Sequence, residues 1–83
     1  MSITILYFAS LREALGTERE QLELPAGIAS VAALRAWLVA RGSEWSPLAA
    51  SRVRAAVNQA LVSEAAAVAD GDEVAFFPPV TGG

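Results

Sequence analysis

The sequence predicts an α+β roll, one sheet crossed by one helix, and three observations carry that prediction. Five stretches read as strands, against a single long helical pattern. The first and last strands are the most apolar, which places them in the middle of the sheet. The chain has 83 residues, enough for one small domain with one core.

Ser2 to Ala9 (SITILYFA) opens the chain as a strand, rich in β-branched and aromatic residues. Ser10 to Gly16 reads as one or two helical turns, with Ser10 placed to cap the start and Gly16 the end. Glu18 to Leu24 is a second strand, with Leu22 and Leu24 facing in; its charge suits an exposed edge. Pro25-Ala26-Gly27 turns the chain. Ser30 is a good N-cap for the long helix, Val31 to Arg41, whose Val31, Leu34 and Leu38 form an apolar stripe flanked by Trp37. Gly42 is expected to stop it. Ser43 to Ser51, with Trp45 and Pro47, reads as a loop or broken helical turn. Arg52 to Asn58 is a third strand, in which Val53, Ala55 and Val57 alternate with Arg52 and Arg54. Asn58-Gln59 turns tightly into a short strand at Ala60 to Ser63. Glu64 to Ala69 is Ala-rich and holds at most one turn. Asp70-Gly71-Asp72 makes a sharp turn, and Glu73 to Phe77 is the last strand, ended by Pro78-Pro79.

The composition removes most chemistry. The chain contains no Cys, no His and no Lys. Thiol nucleophiles, disulfides, Schiff bases and the side chain that titrates near neutral pH are therefore all missing. Carboxylates remain, but Glu18, Glu20 and Glu23 read as a solvated strand face, and Asp70, Asp72 and Glu73 surround a glycine turn. An enzyme in its own right is not expected. A net charge of −3 and a sequence pI near 4.7 argue against nucleic acid as a partner. No stretch reaches the roughly 20 apolar residues of a membrane span, and Met1-Ser2-Ile3-Thr4 lacks the start of a signal peptide. A cytoplasmic location is expected, with no membrane partner.

The two apolar strands carry more hydrophobic side chains than one core needs. Alternation puts Ile3, Ile5 and Tyr7 on one face and Thr4, Leu6 and Phe8 on the other; in the last strand Val74 and Phe76 oppose Glu73, Ala75 and Phe77. Thr4 and Glu73 mark their faces as outward, and one helix covers only one face. Leu6, Phe8, Ala75 and Phe77, with Leu61 as neighbour, should then form an exposed patch of the kind that marks an interface. The alternative is that the Trp45 loop folds over them, or that the alternation slips at a bulge.

The last feature is the ending, Pro78-Pro79-Val80-Thr81-Gly82-Gly83. Average glycine usage of about 7% would put glycine at both final positions in roughly 0.5% of chains. A terminal glycine enters a narrow cleft where a Cβ would clash, and its carboxylate is ionised at neutral pH. The expected organisation is a domain over 1–77 and a projecting tail over 78–83. On composition alone, a loose terminus without function is equally compatible.

The block Asp70-Gly71-Asp72-Glu73-Val74-Ala75-Phe76-Phe77-Pro78-Pro79-Val80-Thr81-Gly82-Gly83 closely resembles the end of the molybdopterin synthase small subunits, a family of ubiquitin-like β-grasp sulfur carriers. Tyr7 to Glu13 (YFASLRE) with Gly16, and Ala56-Val57-Asn58-Gln59 followed by Leu61-Val62, are similar to the same family. The resemblance implies a β-grasp roll: a mixed sheet, one main helix packed across it, and a flexible C-terminal tail.

It also implies a carried substrate rather than a catalyst. In that family an adenylating activating enzyme uses ATP to form an acyl-adenylate on the residue matching Gly83. A sulfur donor, a cysteine desulfurase or rhodanese-like protein, displaces AMP and leaves a thiocarboxylate. The tail then enters the large subunit of the synthase, where sulfur passes to cyclic pyranopterin monophosphate to build the dithiolene of molybdopterin. By position, Gly83 becomes the sulfur-bearing residue and Gly82 its slim neighbour. Phe8, Leu61 and Phe77 become hydrophobic partner contacts, Arg12 a polar one, and Pro78, Pro79, Val80 and Thr81 the approach. The family further implies a heterotetramer with two large subunits, no resident metal or cofactor, and ATP used only by the activating enzyme. Three other readings stay open: a sulfur carrier for thiamine or another pathway, a protein modifier conjugated through Gly83, and an interaction module with an inert tail.

Overall fold

Strand β1, Ser2–Tyr7, alternates half-buried and buried residues along its whole length, as a strand with one face on a core must. In the computed structural model, which describes residues 1–78, it is followed by helix α1 (Ser10–Leu15), β2 (Arg19–Glu23), helix α2 (Val31–Val39), a 3₁₀ helix over Ser43–Ala49, β3 (Arg54–Val57), β4 (Ala60–Val62) and β5 (Glu73–Phe77). The five strands form one sheet in the order β2-β1-β5-β3-β4. The parallel pair β1 and β5 sits inside it, and the remaining pairings are antiparallel. The two most apolar strands are interior and the Glu-rich β2 is an edge, as their sequences indicated.

Helix α2 lies over one face. Ser30 caps it by accepting a hydrogen bond from the Ala33 amide at 3.1 Å, and Val31, Leu34 and Leu38 are fully buried against Ile3, Ile5, Tyr7, Val74 and Phe76. Leu48 of the 3₁₀ helix completes this core. Full burial of each such side chain contributes about 1.5–3 kcal/mol, so the stripe on α2 is what fixes the helix to the sheet.

Two local features differ from expectation. Ser10 is the first residue of α1 rather than its cap; Ala9 takes that place with φ 54° and ψ −128° and makes no side-chain cap bond. The chain swings sharply there because Leu11 must turn back into the core. Helix α2 ends at Val39, two residues early, with Ala40 as its C-cap. Arg41 is drawn out of the helix by other partners: its guanidinium lies 4.2 Å over the Trp45 ring and meets Glu20 at 3.0 and 3.1 Å.

Arg35 ties the layers together. It forks onto Glu64 at 2.8 and 2.9 Å, donates to the Leu48 and Val53 carbonyls and lies 5.4 Å over the Phe76 ring. A rigid bidentate donor suits this junction. At the β3–β4 turn, Asn58 and Gln59 have φ of 49° and 71°, the left-handed pair of a two-residue hairpin.

Candidate functional site

The sheet face away from α2 is open. Register places Leu6 beside Ala75, Ala75 beside Ala56, and Ala56 beside Leu61, an apolar row across four strands. Phe8 and Phe77 flank this row near the end of β5. The two alanines carry only methyl groups, so their larger neighbours stand up around them and enclose a shallow depression of about 450 Å³, with Gln59 and Glu73 on its rim. Phe8 is 46% exposed and Leu61 66%. Each leaves apolar area in water that a partner would remove, at about 25 cal/mol per Å².

The alternation of β1 and β5 holds without a bulge, and Trp45 packs on the opposite face, with its ring 5.9 Å from that of Tyr7. Cover by the Trp45 loop is therefore excluded. Of the residues singled out from the sequence, Phe8, Leu61 and Phe77 share this depression. Arg12 lines an adjoining hollow with Leu6, Phe8 and Arg19; its guanidinium is 3.8 Å from Glu18, both well exposed, a pair worth little. Pro78 lies elsewhere, in a hollow with Leu11, Pro47 and Arg52, and does not join the apolar row. Pro79, Val80, Thr81, Gly82 and Gly83 lie outside the described residues.

Behind the sheet runs a polar network that sequence reading missed. The Tyr7 hydroxyl donates to Glu20 at 2.8 Å, and Glu20 also receives both Arg41 nitrogens. Burial, reinforced by the Glu20 carboxylate, pushes the Tyr7 hydroxyl far up. Burial raises Glu20 as well, but the hydrogen bonds from Arg41 and Tyr7 outweigh it and hold the carboxyl below its ordinary value. The bond to Glu20 raises Arg41 against its own desolvation. Glu20 is thus no part of a solvated strand face. The signal was present in β2, where Glu20 alternates in phase with Leu22 and so shares its inward side.

Tyr7 is held protonated, Glu20 is neutralised by Arg41, and among the described residues no group of acidic side chains is placed to hold a metal ion. Nor is any helix among them long and apolar enough to cross a membrane. The open face is where the large exposed apolar side chains among the described residues, Phe8 and Leu61, stand.

Comparison with known proteins agrees with this picture. The ThiS family matches residues 5–83. The molybdopterin synthase sulfur carrier subunit of Escherichia coli is 48% identical over 82 residues, spanning 98% of this chain and 99% of that protein. Its counterpart in Haemophilus influenzae is 42% identical over the same shares. Among solved structures, small archaeal modifier protein 1 of Haloferax volcanii superposes with a TM-score of 0.80 at 27% identity, covering all of both chains.

Proposed function

The chain belongs to the ThiS family, and from that membership we propose that it is the sulfur carrier subunit of a molybdopterin synthase. Beside that membership, the single structural observation that supports this reading is the open apolar depression along β5, the last strand of the sheet. A partner gripping Phe8, Leu61 and Phe77 holds the body while it works on the C-terminal residues. With no Cys, His or Lys in the chain, what the protein contributes is a slim, unhindered carboxyl at Gly83.

Activation must come from elsewhere, because a carboxylate resists nucleophilic attack. An adenylating enzyme joins the Gly83 carboxylate to the α-phosphorus of ATP and releases pyrophosphate. Sulfide then displaces AMP directly to leave the thiocarboxylate, or a donor persulfide displaces it through its terminal sulfur as an acyl disulfide. A donor thiol cleaves that acyl disulfide to release the thiocarboxylate and a disulfide. The soft sulfur of the thiocarboxylate is ionised at neutral pH. Inside the large subunit that sulfur is delivered to cyclic pyranopterin monophosphate, and water restores the carboxylate. Phe8, Leu61 and Phe77 dock the body; Gly82 keeps the approach narrow. The setting is cytoplasmic, and ATP is bound by the activating enzyme.

Reconstitution tests the reading. Thiocarboxylated protein, mixed with the large subunit and the pterin precursor, should yield the dithiolene, and protein lacking Gly83 should yield none. If the thiocarboxylated form transfers no sulfur to the precursor, the assignment to this pathway fails. The likeness to an archaeal modifier protein supports a second reading, attachment through Gly83 to lysines of other proteins. That reading requires adducts of raised mass on target proteins, which a dedicated sulfur carrier does not leave.

A further inference from the structure

The open face is polarised along its strands. Arg19 stands opposite Leu6 and Arg54 opposite Phe77, both at the end from which β5 leaves the sheet. Arg12 adjoins Phe8 and Arg19, and Arg52 adjoins Pro78. At the opposite end Glu23 pairs with Ser2 and Glu73 with Thr4. Asp70 joins them through the bond it accepts from the Ser2 amide, and Asp72 through the one it accepts from the Asn58 side chain. The six arginines of the chain therefore divide by role. Arg35 and Arg41 are committed to Glu64 and Glu20. The other four gather where the tail begins, against Glu13 and Glu18 at that end. Among the described residues Arg19, Arg52 and Arg54 form no ion pair, and all three are exposed.

A protein of net charge −3 that concentrates its uncommitted positive charge around one exit has a directed field, and that field acts at encounter. We propose that Arg54 and Arg52, with Arg19 and Arg12, form a basic rim that recognises carboxylates at the mouth of the partner cleft receiving the C-terminal segment. The proposal rests on the sulfur-carrier reading. The apolar row supplies the adhesion, being continuous with the rim through the Arg54–Phe77 and Arg19–Leu6 pairs. The arginines set approach and orientation, since rim charges govern association rate more than residence time. The acidic far end of the sheet turns the wrong end away from the same acidic surface.

The test is stopped-flow association of the full chain with the synthase large subunit at low and at high salt. Reversing both charges, Arg54→Glu with Arg52→Glu, should slow association by about tenfold or more at low salt, leave dissociation nearly unchanged, and converge with wild type at high salt. The Lys versions of both positions should keep the wild-type rate. Combining Arg54→Glu with Glu23→Arg restores the net charge and should leave association slow. Wild-type rates for the reversed variants, or recovery in the compensated variant, would overturn the rim. A wild-type oligomer in sedimentation that Arg54→Glu abolishes would assign the rim to a second copy and overturn it too. The failures are distinguishable. Wild type that binds and transfers sulfur regardless of the arginines sinks only this proposal, whereas wild type that never engages the large subunit sinks the sulfur-carrier reading with it.

Discussion

Tyr7 reaches from the core side of β1 to donate its hydroxyl to Glu20 on the edge strand β2, at 2.8 Å. Arg41, arriving from the end of α2, closes the other side of that carboxylate, and its guanidinium lies 4.2 Å over the Trp45 ring and 5.8 Å over that of Trp37. One carboxylate thereby fastens an edge strand, a helix end and the 3₁₀ helix.

Glu20→Gln should cost about 1–3 kcal/mol at neutral pH, the usual loss for a charged hydrogen-bonding partner in a half-buried site. Because the folded carboxyl titrates below its ordinary value of 4.5, its contribution is complete above that value and lost as pH falls through the lower, folded one. Urea melts of wild type and variant should therefore differ at pH 7 and draw together in strong acid. An equal gap at both pH values would contradict the assignment.

Arg35→Ala should be more damaging, by about 2–4 kcal/mol, since it strips Glu64 and the carbonyls of Leu48, Ala50 and Val53 of a charged donor at once. Arg35→Lys should recover only part of this, because an ammonium lacks the fork that meets both Glu64 oxygens. Thermal unfolding of the two variants checks the order.

Gln59→Gly should stabilise the protein by about 0.5–1 kcal/mol. Gln59 holds φ 71°, a conformation that costs a residue with a Cβ about 1–2 kcal/mol, and Asn-Gly is the preferred pair in such a hairpin turn. Asn58 should not be exchanged, since its side chain bonds both Asp72 and the Glu73 amide. Denaturant midpoints decide this prediction.

Leu61→Asp separates stability from recognition. Leu61 is 66% exposed, so the folding free energy should move by no more than about 0.5 kcal/mol. Affinity for the large subunit should fall by about tenfold or more, as expected when a charge enters the apolar centre of an interface. Calorimetric titration beside a urea melt reads both quantities.

The sheet was legible in the sequence because alternation is a local signal. Ile3, Ile5 and Tyr7 against Leu6 and Phe8, and Val74 and Phe76 against Ala75 and Phe77, assigned both faces of the interior strands, and Ser30 announced α2. Glu20 was not read as a network residue because its partners, Tyr7 and Arg41, lie on other elements, and only the folded edge brings them together. The Ala9 cap escaped notice because a polar residue, Ser10, stood next to a position that needed a positive φ and not a hydrogen bond. The apolar depression was predicted from its own residues. The gathering of Arg19, Arg52 and Arg54 around its end was not, since it depends on which strands pair and in what register.

The central claim, that sulfur is carried on Gly83, is tested most directly by the intact mass of the protein purified from its own cells. The account predicts a population in which one carboxylate oxygen at Gly83 is replaced by sulfur, returning to the unmodified mass on incubation with the large subunit and the pterin precursor. Protein that shows only the unmodified mass, from cells actively making the cofactor and unable to consume the thiocarboxylate for want of the large subunit, would contradict it.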